Sequence, residues 1–540
     1  MQIQVRVNEA GVLRHQRHAF SNRYTLVTEL LQNARRAGAT RIDIHHAPEG
    51  RCLTVQDNGR GIDDFQKLLS FHESGWDDAT CREERPFGVG FSKCLYASTR
   101  CVVTSGRQRV DFDTVAALDK ALITVEEAAD GPRIDGTRIE LHGVDLPDLA
   151  QRIDELCAGF PVALWFNGRP VQRPLARDQL AFMDSPIGAV HLIGSRDGRQ
   201  AHQTWVFLQG FCVMRPAWSG PTGVNVVHLD SRQFMARLPD RDRLIDEDEQ
   251  RLRIDDALKA CWRQTLETAK AQLPPRMFVE TYYEVMRAWG LLALINDLDH
   301  LPAQLFHLVT GYPVQVDRDE YDFLSAVPKG PPRAAIESGE AQLVVLDDVN
   351  ADNGGRWLLA RARGWLVFDW LGVHAEHWVL QHVKFLEEPA LRVRPIGHLL
   401  TTTLEGRWVR PTVVLCEAVQ VQVGDDEALI RDAGIARHGT LLIPHGERSG
   451  EPVQQLCDYI GEHRDFQSDD RDADRDALAE LLHLYRAVDP VETLDTLLAP
   501  LRLGRYPLLR GKSFALTVGV GAMPGHSVEL NPSGAGHAGP

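Results

Sequence analysis

Residues 22–39 read NRYTLVTELLQNARRAGA, and this stretch decides how the first part of the chain folds. Gly38 is a typical stop for the helix that the stretch predicts. Glu29 and Asn33 lie four residues apart, so both project from one face of that helix. The opposite, apolar face is marked by residues that recur at steps of three and four: Leu26, Leu30, Leu31, Ala34 and Ala37.

Two strand-like runs follow this helix, ATRIDIHH at 39–46 and RCLTVQD at 51–57. The second run leads into Asp57-Asn58-Gly59-Arg60-Gly61, where the chain is expected to turn. Two glycines two residues apart permit a backbone that other residues rarely adopt, and they let a ligand approach closely. Further strand-like runs with interspersed helices extend to about residue 172. The pattern predicts an α/β sandwich, with one sheet covered by helices.

A second glycine-rich segment, Phe87-Gly88-Val89-Gly90-Phe91, precedes an apolar helical run at 92–97. Successive free N–H groups at such a place suit a phosphate. Gly136-Thr137 then precedes another strand, RIEL. Each segment alone is weak evidence for a site, because short glycine turns are common. Their order and context together favour a nucleotide site.

Together these segments resemble the ATP-binding domain of the GHKL superfamily, which is shared by gyrase B, heat-shock protein 90 (HtpG) chaperones, histidine kinases and MutL. The likeness covers about residues 15–172 and continues more weakly to about residue 272. It implies a Bergerat-type α/β sandwich and an α/β middle (transducer-like) domain. The resemblance ends at about residue 272, and a unique mixed α/β C-terminal half is expected beyond it. Within the superfamily, the sequence resembles the heat-shock protein 90 (HtpG)-like ATPases most. The segments that carry the resemblance are ELLQNARRAGA (29–39), DNGRGI (57–62), RPFGVGFSKCL (85–95) and DGTRIEL (135–141).

The resemblance implies ATP and Mg²⁺ as cofactors and gives the polar residues their roles. Asp57 would accept a hydrogen bond from the adenine amino group, with support from the Thr137 hydroxyl. Asn33 would offer its amide oxygen to Mg²⁺, and Glu29 would be the general base for the attacking water. The further nucleotide-binding positions would be Gly59, Gly61, Gly88, Val89, Gly90 and Phe91.

Glu29 favours hydrolysis over phosphotransfer to a histidine, since the latter needs no water-activating carboxylate. A catalytic cation is expected from LPDRDR at 238–243, where the chaperone-type members of the family place an arginine. Arg241 and Arg243 are both candidates. Local pairing of these arginines with neighbouring aspartates in a surface turn is an equally open interpretation.

The expected domain organisation follows the resemblance and the breaks in composition. The lid over the nucleotide is expected at 63–86, and VPKGPPR at 327–333 is the clearest linker. The predicted regions are an ATP-binding domain (1–172), a middle domain (185–272), a helical connector (273–326), a C-terminal α/β domain (334–520) and a flexible tail (521–540).

Composition limits the function classes. The 540 residues are 44% hydrophobic and 25% charged, with a net charge of −16, which is typical of a soluble globular protein of several domains. No apolar run is long enough to span a membrane. Nine cysteines without a CxxC pattern indicate reduced thiols and a cytoplasmic location.

Three other patterns are weaker candidates for sites. Gly511-Lys512-Ser513 lacks the earlier glycine of a phosphate loop, and LVVLDD (343–348) has no partner loop. DDRDADRD (469–476) lacks the glycine and glutamate of a calcium loop, and it is better interpreted as a helix N-terminus.

The leading functional hypothesis is an ATP-gated, chaperone-like or remodelling clamp that acts on protein and closes as a nucleotide-dependent homodimer. The alternatives are a DNA-linked ATPase of the MutL or microrchidia type, or a nucleotide-binding regulator. The acidic charge disfavours DNA. A basic inner surface remains conceivable, and its candidate residues are Arg35, Arg36, Arg41 and Arg82.

Overall fold

The chain divides into two compact units, residues 1–298 and 299–540. The computed structural model describes residues 3–4, 8, 11–13, 22–71, 75–84, 90–127, 133–199, 203–217, 220, 222–237, 240–314, 323–347, 349–350, 352–519 and 525–531. No described helix is both long and apolar enough to cross a bilayer. All nine cysteines are free.

The first unit opens with an eight-stranded sheet in the order β5-β4-β3-β6-β2-β1-β7-β8. Its neighbouring strands pair antiparallel, except that β1 and β7 are parallel. The strands are β1 (Arg41–Ala47), β2 (Cys52–Asp57), β3 (Arg100–Gly106), β4 (Gln108–Asp113), β5 (Glu126–Glu127), β6 (Ile134–His142), β7 (Ala163–Phe166) and β8 (Arg169–Pro170).

Helices cover this sheet and share one core with it. Leu26 and Leu30 of the first helix, Leu95 and Ile153 pack with buried strand residues such as Ile42 in a single apolar cluster. This layering is the predicted α/β sandwich. The helices are α1 (Thr25–Arg36), α2 (Gln66–Leu69), α3 (Asp78–Glu84), α4 (Ser92–Ala97), α5 (Thr114–Leu118) and α6 (Leu149–Leu156).

A second sheet in the first unit has the order β12-β11-β13-β10-β9. Trp205, Phe207 and Val226 from this sheet are buried against Ala158, which follows α6. The tip of the β11–β12 hairpin is Gln209-Gly210. The strands are β9 (Met183–Ser185), β10 (Gly188–His191), β11 (Thr204–Leu208), β12 (Phe211–Met214) and β13 (Asn225–Leu229).

Two long helices complete the first unit, α7 (Glu247–Gln272) and α8 (Pro275–Ala288). The sequence predicts that the former begins near Ile254, yet it begins a full two turns earlier. Its first turn contains Glu247, Asp248 and Glu249. Carboxylates are favourable at a helix N-terminus, so this acidic run lies inside the helix and does not precede it.

The second unit contains a five-stranded sheet in the order β15-β14-β17-β16-β18. The short helices α9 (Arg333–Glu337) and α10 (Gly354–Arg363) belong to this part of the chain. The strands are β14 (Phe306–Val309), β15 (Leu324–Ala326), β16 (Leu343–Val345), β17 (Leu366–Phe368) and β18 (Val383–Phe385).

A further sheet, β19-β20-β23-β22 with β21 beside β20, and a terminal hairpin follow. Helix α11 (Ser468–Arg486) starts with Asp469 and Asp470, so the helix interpretation of 469–476 is confirmed. Helix α12 is Pro490–Leu498. The strands are β19 (Leu391–Thr403), β20 (Thr412–Val423), β21 (Asp426–Ile430), β22 (Ile435–Arg437), β23 (Thr440–Pro444), β24 (Phe514–Val518) and β25 (His526–Leu530).

The structure corrects the predicted boundaries after residue 272. The connector expected at 273–326 is split between the units, because β14 and β15 join the sheet that also holds β16, β17 and β18. The prolines at 327–333 therefore form a loop within one unit and do not link two domains. The tail expected at 521–540 contains strand β25, which pairs with β24; positions 520–524 and 532–540 lie outside the described residues.

Candidate nucleotide site

Most of the sequence-predicted site residues line one cavity of about 530 Å³ in the first unit. Gly59 and Arg243 are not part of its wall. Gly88 and Val89 lie outside the described residues. The predicted residues that the cavity brings together are Glu29, Asn33, Asp57, Gly61, Gly90, Phe91, Thr137 and Arg241.

Helix α1 presents Glu29 and Asn33 to the cavity one helical turn apart. The Glu29 side chain is only 6% exposed, whereas Asn33 is half-buried. The leucines on the other side of α1 are buried in the core, so packing fixes the rotation of the helix and hence the direction of both polar side chains.

Asp57 is the last residue of β2, and it pairs in register with Thr137 of β6. Both residues are buried. Burial raises the pKa of Asp57, while the backbone N–H groups of Gly59 and Thr137 oppose this rise. The Gly59 N–H donates to Asp57 Oδ1 at 2.8 Å. A carboxylate has several acceptor positions, so Asp57 can accept a further hydrogen bond from a ligand in the cavity.

Ser105 of β3 connects the turn after Asp57 to strand β6, and sequence reasoning missed it. Its hydroxyl accepts a hydrogen bond from the Ile62 N–H at 2.8 Å and donates to the Gly136 carbonyl at 2.9 Å. Gly61 and Gly136 both have positive φ, and a Cβ at Gly61 would lie 2.7 Å from Ser105 Oγ. The absence of a side chain at Gly61 thus allows this close packing.

Gly90 lies in close contact with the side chain of Glu29. A Cβ at this position would lie 2.2 Å from Glu29 Oε2, so a side chain here would require the Glu29 carboxylate to move. Phe91, the next residue, is buried in the core at the start of α4. The backbone of Gly90 thus lies close to the carboxylate of Glu29.

Arg241 reaches Glu29 from the segment that follows the second sheet. Its Nε lies 3.0 Å from Glu29 Oε1, and the Arg241 side chain is 18% exposed. Its Nη1 donates to Gln209 Oε1 at 3.2 Å. Arg241 has a φ of +54°, a left-handed conformation that is costly for a residue with a Cβ. The backbone is held in this conformation where the guanidinium meets the carboxylate.

Asp240, which precedes Arg241 in the chain, forms a hydrogen bond with helix α1. It is a second residue that sequence reasoning missed. Asp240 Oδ1 accepts a hydrogen bond from Thr25 Oγ1 at 2.7 Å. Lys93 of α4 is buried; burial lowers its pKa, while the negative charge of Asp240 acts in the opposite direction. In the sequence, only the alternating charges of LPDRDR indicate that Asp240 could make such a contact.

Gln209, at the hairpin tip of the second sheet, connects Arg241 to the end of helix α3. Besides accepting from Arg241, its amide donates to the Glu84 carbonyl at 3.2 Å. Glu84 in turn pairs with Arg35 at 2.5 Å and Arg36 at 2.8 Å. Burial alone would raise the pKa of Glu84, but the two guanidinium groups hold it below its usual value.

The predicted lid contributes Trp76 and Asp77 to the cavity wall. Arg60, from the turn after β2, pairs with Asp77 at 3.3 Å and lies 5.1 Å from the centre of the Trp76 ring. Of the lid's unusual Glu73-Ser74-Gly75 sequence, Glu73 and Ser74 lie outside the described residues. The described part is held against the glycine turn by this arginine.

A magnesium ion fits this site as a companion of phosphate. The Asn33 amide oxygen is a hard donor of the kind Mg²⁺ prefers. Among the described residues, no three acidic, histidine or cysteine side chains are grouped so as to hold a metal. A single protein oxygen suits an ion that keeps most of its waters and binds the phosphate oxygens.

Residues 22–146 match a family model described as histidine kinase-, DNA gyrase B-, and HSP90-like ATPase. The matched range includes α1, the turn after Asp57, α4 and the strand that carries Thr137. The match supports the GHKL superfamily for this part of the chain, and hence ATP binding and hydrolysis as its general activity. A search of curated proteins finds no significant match.

Proposed function

We propose that the chain binds ATP in the cavity of the first unit and hydrolyses it with Mg²⁺. The observation that carries the proposal is the buried pair of Glu29 and Arg241, which lies in the wall of a cavity that also contains Asp57. A carboxylate for the water and a cation for the phosphate thus stand at one position of the site. Asp57, the hydrogen-bond acceptor for adenine, lies at another position of the same cavity.

Adenine recognition is assigned to Asp57. Its carboxylate accepts the hydrogen bond from the exocyclic amino group, and Thr137 supports it from the neighbouring strand. A buried acceptor discriminates strongly, because a base without that donor would leave the carboxylate desolvated and unpaired.

Hydrolysis is assigned to Glu29 and Arg241. The oxygen of a water forms a bond to the γ-phosphorus, the bond from that phosphorus to the β–γ bridging oxygen breaks, and the water proton passes to Glu29. Arg241 stabilises the charge of the transferring phosphoryl group. Mg²⁺, held by Asn33 together with the phosphates, supplies further charge neutralisation when it is bound.

Two related activities fit the residues less well. Phosphotransfer to a histidine has no use for a buried carboxylate at position 29. A regulator that only binds nucleotide would need neither Glu29 nor a strained arginine beside it. The catalytic pair therefore favours turnover.

We further propose that the ATPase acts on protein, as a chaperone-like or remodelling clamp that closes as a nucleotide-dependent homodimer. The net charge of −16 supports a protein client over DNA. The arginines considered for a basic surface are largely engaged in ion pairs: Arg35 and Arg36 bind Glu84, and Arg41 binds Asp43. Faster ATP turnover with unfolded protein and not with duplex DNA would support this choice, and the reverse would favour the MutL-type alternative.

The proposal is tested with the purified chain, Mg²⁺ and ATP. Wild type is expected to bind ATP in a calorimetric titration and to release ADP and phosphate. Asp57→Asn is expected to lose most of its ATP affinity, because the amide presents a donor to the adenine amino group. Asp145→Asn is the matched control, since Asp145 is exposed, pairs with Arg23 and does not line the cavity. Equal affinity in Asp57→Asn and wild type would contradict the site.

A further inference from the structure

A second cavity of about 400 Å³ adjoins the proposed nucleotide cavity. The two cavities have only Glu29 and Arg241 in common among their lining residues. This buried ion pair is therefore the partition between them. Thr25 and Thr28 of α1 line the second cavity near the partition.

Two arginines of the second cavity have no ion pair within the part of the chain that the structure describes. Its lining includes Arg152 and Arg243, and neither has a carboxylate partner among the residues that the structure describes. Two of the acidic lining residues are already paired, Glu155 with Arg215 and Glu247 with Arg251. A third, Asp240, accepts the hydrogen bond from Thr25 and faces the positive charge of Lys93. Asp242 also lines the cavity, between Arg241 and Arg243 in the chain, and a bound anion would have to be held against its charge.

We propose that this second cavity is a binding site for inorganic phosphate and the route by which product phosphate leaves the enzyme. The inference rests on the proposed ATPase function. Phosphate forms beside Glu29 and Arg241, where ADP and the lid residues Trp76 and Asp77 occupy the nucleotide side. The newly formed phosphate therefore contacts Glu29 and Arg241, the two residues of the partition, before any other residue of the second cavity.

The side chain of Arg241 can carry the anion across the partition. A phosphate dianion competes with Glu29 for the same guanidinium, and breaking that ion pair opens the shared wall. Arg243, two residues further along, then offers the next cation on the far side. Liquid water takes about 30 Å³ per molecule, so a cavity of 400 Å³ has room for a hydrated phosphate.

The first test is equilibrium dialysis of radiolabelled inorganic phosphate against the full chain with ADP and Mg²⁺ bound. Wild type is expected to bind one phosphate, and the Arg152→Ala/Arg243→Ala double variant is expected to bind it at least 10-fold more weakly. Arg237→Ala is the matched control, because Arg237 is an exposed arginine of the same loop that lines neither cavity. Equal phosphate affinity in wild type and the double variant would overturn the inference.

The second test separates ATP cleavage from phosphate release in one turnover, with acid quench for cleavage and a fluorescent phosphate reporter for release. In the double variant, cleavage is expected to stay within about 2-fold of wild type while release slows by 5-fold or more. Unchanged release would overturn the exit route. Phosphate binding that depends on Arg243 in a chain that cleaves no ATP would contradict the proposed function and leave only the anion site.

Discussion

Arg241 Nε lies 3.0 Å from Oε1 of Glu29, although the two residues come from distant parts of the first unit. Both side chains are largely buried, and removing one partner of such a pair leaves an uncompensated charge. Gly90 lies against this pair as well, since a Cβ there would overlap the Glu29 carboxylate. The proposed chemistry therefore depends on residues from helix α1 and from the segment that follows the second sheet.

Arg241→Ala is expected to slow ATP turnover by about 10-fold or more and to change ATP affinity little, because the cation acts on charge that develops during cleavage. The measurement is the initial rate of ADP formation at saturating Mg-ATP, with the dissociation constant from calorimetry. Arg237→Ala, on the same loop but outside both cavities, should behave as wild type. An Arg241→Ala enzyme with wild-type turnover would remove Arg241 from the mechanism.

Gln209→Ala is expected to lower turnover by roughly 3- to 10-fold, because Arg241 loses its hydrogen-bond acceptor and the link to Glu84 is cut. As a positioning residue, Gln209 should affect the maximal rate much more than the Michaelis constant. Gln209→Glu keeps the acceptor for Arg241 and should recover part of the rate. If Gln209→Glu lost as much of the maximal rate as Gln209→Ala, this role would be contradicted.

ATP affinity is expected to fall on acidification at a higher pH than an ordinary aspartate would give, because burial raises the pKa of Asp57 above the usual value for an aspartate. Protonated Asp57 donates where the adenine amino group needs an acceptor, so binding is strong above the raised pKa and weakens as pH falls through it. Calorimetric titration across pH reports this. Inosine triphosphate lacks the amino group and should bind weakly at every pH; parallel curves for the two nucleotides would contradict the assignment.

The first unit is expected to lose stability as pH falls from about 6.5 to about 4. His228 is buried and stacked on Phe207, and burial lowers its pKa from 6.5 to about 4. Between these values the unfolded chain binds a proton that the folded chain does not, so unfolding becomes easier at lower pH. At about 1.4 kcal/mol per unit of pKa, the loss attributable to His228 approaches 3 kcal/mol.

Urea unfolding of wild type and His228→Gln across this pH range isolates that contribution. Glutamine can still donate to the Leu175 carbonyl, which His228 Nε2 contacts at 2.8 Å, but it takes up no proton. The variant is expected to show the flatter pH profile. Two parallel profiles would mean that His228 does not titrate as its burial requires.

Local sequence patterns were sufficient for the helix and the turns that frame the site. The apolar spacing predicted α1, which is confirmed at Thr25–Arg36. The same spacing placed Glu29 and Asn33 on a face apart from the leucines. Glycine content marked the turn after Asp57, because only a few residues tolerate such backbones.

The contacts around Arg241 could not be predicted in the same way. Gln209, Asp240 and Lys93 come from three elements that meet only through tertiary packing, and each looks like an ordinary polar residue in sequence. Strands β14 and β15 were missed for a different reason. They have four and three residues, too few to show an alternating pattern.

The most direct test is single-turnover hydrolysis of Mg-ATP by Glu29→Gln compared with wild type. Glutamine keeps the size of the side chain and an oxygen for Arg241, but it cannot take the proton of the attacking water. The variant is expected to bind ATP with near wild-type affinity and to cleave it about 10²–10⁴-fold more slowly. Cleavage by Glu29→Gln at the wild-type rate would contradict the assignment of Glu29 as the general base.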